Sequence, residues 1–380
     1  MLKPYLFACL LGLAAGGSLA EPAPLNPVLF AFPGAGIAPS SARSAGLALA
    51  DRWLGDQPFD NPAASPGRQA LVSPVLQRVS RQDLRAANRH FDEQTGFFDA
   101  GGAWASVPVG RLSLGLYAFQ PVRRLEDNAF ERGERGAPVE PAVIQTRATS
   151  REVRTGLAAS LGLGWIRVGA AGEWLHRQER YASVEKSGSP DAGNRSVEFS
   201  GDGAAFQAGA RLDWRAGQPG ALAVGAALRY LPSLALDGDQ SATLVSGDTL
   251  IHVSARREAG WEGGISARCA ASPAFLVIAS VGARTPQQWR GLDVTSGDGA
   301  SWSLGGEYHD VRDPWAVRFG VGGERQSGVP ESSAGLVGLG FAWKLEGTSL
   351  DLGVMRRSIE RASSPTSFED HLVGSVGFAF

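Results

Sequence analysis

Histidine stands beside aspartate twice in this 380-residue chain, at His309-Asp310 and Asp370-His371. With a serine nucleophile such a pair forms a hydrolytic relay, the histidine moving a proton and the carboxylate orienting the ring. Both pairs fall in runs that alternate apolar and polar residues, and neighbours on a strand point to opposite faces. No serine lies in a nucleophile-elbow glycine motif. No catalytic residues are therefore expected, and the chain does not read as an enzyme. The five histidines are scattered without metal-ligand spacing, so no metal or other cofactor is expected. A formal charge of −2 offers no basic patch for nucleic acid.

The other reactive side chains are arginines and carboxylates that share one face of the alternating runs, among them Arg154, Glu173, Arg211, Arg229, Glu262 and Arg318. Both signs are present, so pairing across strands is their default role. Arg211 and Arg229 are the candidates for a second role, holding a substrate carboxylate while apolar lining takes the rest of the molecule. Tyr117, Phe119, Leu276, Ile278 and Met355 are candidate lining.

The elements that must carry these residues are strands. From Gln69 onward the chain divides into about fourteen runs of period two. Trp315, Val317, Phe319 and Val321 oppose Ala316, Arg318, Gly320 and Gly322. Phe206, Ala208, Ala210, Leu212 and Trp214 oppose Gln207, Gly209, Arg211 and Asp213. Short turns alternate with longer polar connections, which include 123–148 and 232–249. Aromatic residues near strand ends, including Trp104, Trp165, Trp174, Trp214, Trp261 and Trp343, predict two girdles at the membrane interfaces. Mean hydropathy is only −0.08, as expected when every second residue of a wall faces a polar interior. Many of the 50 glycines lie inside the alternating runs, where a narrow interior can use residues without side chains. The fold expected is an all-β transmembrane antiparallel barrel.

Both termini agree. His371–Phe380 places Leu372, Val376, Phe378 and the terminal Phe380 on one face, the pattern of a strand between lipid and lumen. In a closed barrel it would pair with the first strand. It looks like the C-terminal signal that the barrel-assembly machinery reads in bacterial outer-membrane proteins. Residues 1–20 carry Lys3, an apolar run from Tyr5 to Ala15, and Ser18-Leu19-Ala20. That is a cleavable export signal, and the run is well short of the roughly 20 residues of a membrane span. Only Cys269 lies beyond it, so no intramolecular disulfide is expected. Residues 21–68 form a separate N-terminal segment: Pro-, Ala- and Gly-rich to Pro39, then a short helix expected over Ser40–Trp53 with Leu47, Ala50 and Leu54 on one face, then Asn61-Pro62-Ala63. It is too short for a core of its own. Residues 69–380 are the barrel.

Ser41–Asp51, followed about ten residues later by Asn61-Pro62-Ala63, resembles the N-terminal hatch of the FadL/OmpP1/TodX superfamily. The resemblance implies a hatch-plugged barrel of fourteen strands in the bacterial outer membrane, monomeric and bathed in lipid. It implies passive uptake of hydrophobic small molecules such as long-chain fatty acids or aromatic hydrocarbons. It further implies that substrate leaves sideways near a kink in the third strand, with Asn61, Pro62 and Ala63 shaping the gate beside residues 111–122. A rigid turn into the first strand is the equally weighted alternative for those three residues. The charged connection 123–148 departs from the family pattern. Two other functions stay open: a scaffold or shuttle for secreted proteins, and a general diffusion porin.

Overall fold

Alternation of apolar and polar residues puts one face of every run toward lipid and the other toward a lumen, and backbone pairing along the edges then joins the runs into a ring. The computed structural model describes residues 39, 41–54, 57–63, 69–81, 93–132, 142–186, 193–214, 220–244, 247–290, 294–309, 314–328, 332–361 and 364–379. Residues 1–38, which include the expected export signal at 1–20, and Asp310 and Phe380 lie outside the described residues. Helix α1 (Ala42–Gly46) precedes the strands β1 (Gln69–Arg81), β2 (Glu93–Val109), β3 (Leu112–Arg132), β4 (Ala142–Leu163), β5 (Ile166–Lys186) and β6 (Gly193–Trp214). Then come β7 (Leu222–Leu231), β8 (Leu234–Leu244), β9 (Gly247–Arg257), β10 (Gly260–Ser272), β11 (Phe275–Arg284) and β12 (Gln287–Arg290). The series ends with β13 (Val294–His309), β14 (Trp315–Gly328), β15 (Ser332–Leu345), β16 (Thr348–Arg361) and β17 (Ser364–Ala379).

All pairings are antiparallel, and β17 returns to β1 with Ala379 opposite Gln69 and Ser367 opposite Arg81. Three staves of the wall are interrupted at one level. β7 and β8 both pair with β6, β9 continues into β10, and β11 and β12 both pair with β13. The interruptions adjoin, for Leu231 lies opposite Gly260 and Leu234 opposite Arg257. Counted as continuous staves, the segments make a closed barrel of fourteen.

Strand pairing runs further than the hydrophobic pattern suggested. The expected connection 232–249 is largely β8 and the start of β9, and the expected connection 123–148 is mostly the ends of β3 and β4. Past Trp174, the outward face of β5 turns largely polar: His176 meets Asp202, and Arg180 meets Glu198. The backbone ladder continues above the lipid, where water accepts polar residues on either face, so the period-two signal fades before the strand does.

Leu114, Leu116, Leu157, Phe206, Leu304 and Leu339 are among the exposed apolar residues of the outer wall. Trp165, Trp214, Tyr308 and Trp343 mark the rim of the short turns, and Trp174, Trp261 and Trp302 a second level above it, all exposed. These are the aromatic belts of a barrel in a bilayer. Trp104 is the exception. It faces inward and is buried against Phe59, because it belongs to the inner face of β2 rather than to a belt.

Residues 41–54 and 57–63 lie inside the barrel, and its glycines admit them. Gly46 meets Gly340 so closely that a Cβ on Gly46 would lie 2.8 Å from the Gly340 Cα. Gly338 lies under the Ala45 and Ala48 backbone, and Gly225 and Gly264 under Trp53 and Leu54. Backbone rather than side-chain atoms make many of these contacts, so the neighbours have little means of yielding. A Gly338→Val change should therefore leave a folded, heat-modifiable barrel whose inner segment is expelled, at an overpacking cost of about 1–3 kcal/mol. Limited proteolysis is the check: cleavage within 41–63 should accelerate by roughly tenfold or more.

Candidate functional site

Ser41 caps α1, accepting a hydrogen bond from the Ser44 backbone N–H at 3.2 Å, and also accepts from Gln57 Nε2 at 2.6 Å. The helix is shorter than the one expected over Ser40–Trp53. It ends because Ala48 and Leu49 adopt left-handed backbone conformations, with φ of 47° and 67°. The sequence pattern marked burial rather than helix, since Leu47, Ala50 and Leu54 are all buried. Polar ties fix the segment to the wall. The Ala42 N–H donates to Ser375 Oγ at 2.8 Å, the Trp53 N–H donates to Ser266 Oγ at 3.1 Å, and Arg43 meets Glu307 at 2.9 Å.

Asn61 is fully buried and joins the segment to itself and to two strands. Its side-chain amide donates to the carbonyls of Trp53 at 2.9 Å, Ala226 at 3.1 Å and Ala210 at 3.2 Å, and its oxygen accepts from the Ala63 N–H at 2.9 Å. Gly209 and Gly169 make room for Asn61 and Pro62. The three residues thus lie against β5, β6 and β7. The resemblance placed them beside 111–122, but the residues that reach β3 are Pro58, against Gly115, and Phe59, against Tyr117 and Phe119.

Phe59 is the centre of an aromatic cluster of which the sequence marked only Tyr117 and Phe119, as candidate lining. Its ring stacks on Phe119 with centroids 4.9 Å apart and meets Tyr117 edge-on at 6.0 Å. Trp104, Ala158 and Ala171 complete the cluster, with Leu71 packed against it. For Phe59 itself the sequence signal was an aromatic residue two positions before Asn61.

A charged network covers this cluster. Arg229 donates to Glu262 at 2.5 Å, to Glu173 at 3.1 Å, to Gln207 at 3.2 Å and to the Phe59 carbonyl. Arg154 donates to Glu152 at 2.7 Å and to Glu262 at 3.2 Å, and Tyr117 donates to Glu173 at 2.8 Å. Arg211 donates to both oxygens of Asp213, at 2.9 and 3.0 Å. Both arginines singled out for a substrate carboxylate therefore already hold carboxylates of the protein, and they do not converge on one site. The same network presents both charge signs, and so does a cavity of about 60 Å³ beside Trp53, lined in part by Arg52, Glu262, Arg284 and Glu324.

The wall itself is irregular beside the aromatic cluster. The β2–β3 ladder holds eight pairs, from Val109–Leu112 at the turn to Gly102–Phe119. Beyond that point β2 pairs with β1 and β3 with β4, and no β2–β3 pair occurs among the described residues. At the same place three steps along β3, Phe119 to Val122, match two along β4, Arg154 to Glu152, which is a bulge at Gln120-Pro121. A proline within a strand was the sequence signal for it. Eight residues climb roughly 20 Å in a strand tilted by about 40°. The ladder thus stops near the upper edge of the apolar band.

Replacing Asn61 by Asp keeps the shape of the side chain but removes both amide donors and brings negative charge against three carbonyls. Asn61→Asp should loosen the segment by about 2–4 kcal/mol. In planar bilayers the variant should show current bursts that the unmodified protein lacks, and Asn61→Gln a milder form of them.

No family model matches the chain, and no curated protein matches it. Solved structures do. A Pseudomonas aeruginosa FadL homologue aligns at a TM-score of 0.64 with 14% identity, over 91% of this chain and 99% of that one. The Pseudomonas putida toluene transporter TodX aligns at 0.59 with 11% identity, over 91% and 98%. The Ralstonia pickettii toluene transporter TbuX aligns at 0.56 with 15% identity, over 94% and 98%. Across nearly the whole length of each, and with the inner segment and the fourteen staves already described, this chain has the fold of the FadL and TodX outer-membrane barrels.

Proposed function

We propose that this barrel carries hydrophobic small molecules passively across the bacterial outer membrane, with residues 41–63 as a plug and the break between β2 and β3 as a sideways exit. The observation that carries this reading is the end of the β2–β3 ladder at Gly102–Phe119, with the bulge at Gln120-Pro121 beside it. Unpaired strand edges facing hydrocarbon are costly, so a barrel keeps such a break only where something uses it. An apolar solute gains from it because it can pass from lumen to bilayer without entering water. Neither a diffusion porin nor a scaffold for secreted proteins, the two alternatives left by the sequence, has use for a break in the wall. The names of similar structures, a FadL homologue, a monoaromatic hydrocarbon channel and toluene transporters, agree with the same reading.

In this scheme residues 1–20 direct export and are removed. The C-terminal strand is presented to the assembly machinery before it pairs with β1. The mature protein works as a monomer in outer-membrane lipid. Asn61, Pro62 and Ala63 secure the plug against β5–β7, while Phe59 borders the exit. Long-chain fatty acids and aromatic hydrocarbons are both substrate classes consistent with an apolar exit.

Deleting Gln120 removes the extra residue of β3 and restores one-to-one register with β4. The ladder to β2 can then extend past Phe119. Uptake of a labelled alkylbenzene and of a labelled long-chain fatty acid by cells expressing this variant should fall by roughly tenfold or more, with barrel folding intact. Unchanged uptake of both would remove the sideways exit from the mechanism.

A further inference from the structure

We infer that Phe59 fills, in the closed protein, a slot built for one neutral aromatic ring, and that a substrate ring reaches the bilayer by displacing it. This inference rests on the uptake reading above and specifies its substrate class.

Phe59 is wholly buried, stacked on Phe119 with planes 18° apart and edge-on to Tyr117 at 67°. Stacked and edge-to-face contacts are the arrangements a free benzene ring adopts among aromatic neighbours. The walls come from the two strands that part company here. Trp104 belongs to β2 and Phe119 to β3, and Phe119 is in the last pair before the ladder ends. The slot therefore lies at the foot of the break, between the lumen and the lipid.

The backbone that carries Phe59 is held in place. Its carbonyl accepts from Arg229, and the next carbonyl, of Asp60, accepts from Gln207 at 2.7 Å. Side-chain torsions remain as the means of movement. Rotating the ring away leaves a space that fits a phenyl group, because a phenyl group is what filled it.

Charge decides the class of ligand. The guanidinium groups of Arg229 and Arg154 lie 5.6 and 5.8 Å from the Phe119 ring centre. Both are engaged by carboxylates of the protein, Glu173, Glu262 and Glu152. An incoming carboxylate would meet these acids and have to displace one from its arginine. A neutral ring meets only the aromatic faces. The slot thus selects an uncharged monocyclic aromatic over benzoate or a fatty acid.

The test places para-fluorophenylalanine at position 59 of the full-length protein in detergent and follows its fluorine NMR signal during titration with toluene and with benzoate. Toluene should produce a second, saturable signal from the displaced ring, and benzoate should leave the spectrum unchanged. In a parallel titration, Phe59→Ala should bind toluene about tenfold more tightly than the unmodified protein, since no ring has to leave first. Phe59→Leu keeps apolar volume and provides the same comparison if the alanine variant does not fold. A position-59 signal indifferent to toluene, or equal toluene affinity in the variant and the unmodified protein, would overturn the displacement. An equal response to benzoate would overturn the neutral class. If toluene uptake still depends on the Gln120 bulge while the fluorine signal stays fixed, the sideways exit survives and the role of Phe59 does not.

Discussion

A strand in hydrocarbon has only its neighbours to satisfy its N–H and C=O groups, and the closed ladder of this barrel is the answer to that constraint. Everything else follows from where the ladder is complete and where it is not. From β3 around through β17 and β1 to β2 each strand pairs with its neighbours, with gaps at one level across β6–β13: residues 201–205 of β6 have no ladder pair in β7 or β8, and the β9–β12 ladder holds two pairs. Between β2 and β3 it stops at Gly102–Phe119, although both strands go on pairing with their other neighbours. The bulge at Gln120-Pro121, the buried aromatic cluster and the inner segment meet at that one place.

The interior solves a second problem, filling a ring of strands without a conventional apolar core. Where the inner segment comes closest to the wall, the wall is largely glycine, and backbone often lies on backbone. Where it does not, arginines and carboxylates pair across strands. Arg318 bridges Glu307 and Asp351, each at 2.6 Å, and Arg357 reaches Glu369 at 3.1 Å. Buried pairs of this kind contribute little net stability, because desolvation offsets most of their attraction. Their effect is positional. Breaking one partner leaves a buried charge, so the network holds Arg229, and through it the Phe59 carbonyl, in one arrangement.

Particular residues show how much was legible beforehand. Phe319 and Val321 outward with Arg318 inward, or Phe206 outward with Gln207 inward, could be read directly, since a strand in lipid has no other way to place them. So could the pairing of the last strand with the first. Strand length was less legible, because β8 and the upper part of β5 carry polar residues on their outer face above the lipid. Trp104 was misplaced for a related reason: an aromatic near a strand end suits a belt as well as an inner cluster, and only the face it occupies decides.

The sequence by itself determined a membrane barrel, its approximate strand count and the character of each face. These properties depend on local alternation, which a single chain displays in order. Tertiary structure alone decided that Arg211 and Arg229 are already paired, that Asn61 binds β6 and β7, and that Phe59 sits at the broken ladder. Each of those facts joins residues from 2 to 170 positions apart. A strand's alternation says which side a residue faces, but not its height in the barrel or which neighbour stands across the lumen. Those depend on register and shear, which are set only when the ring closes.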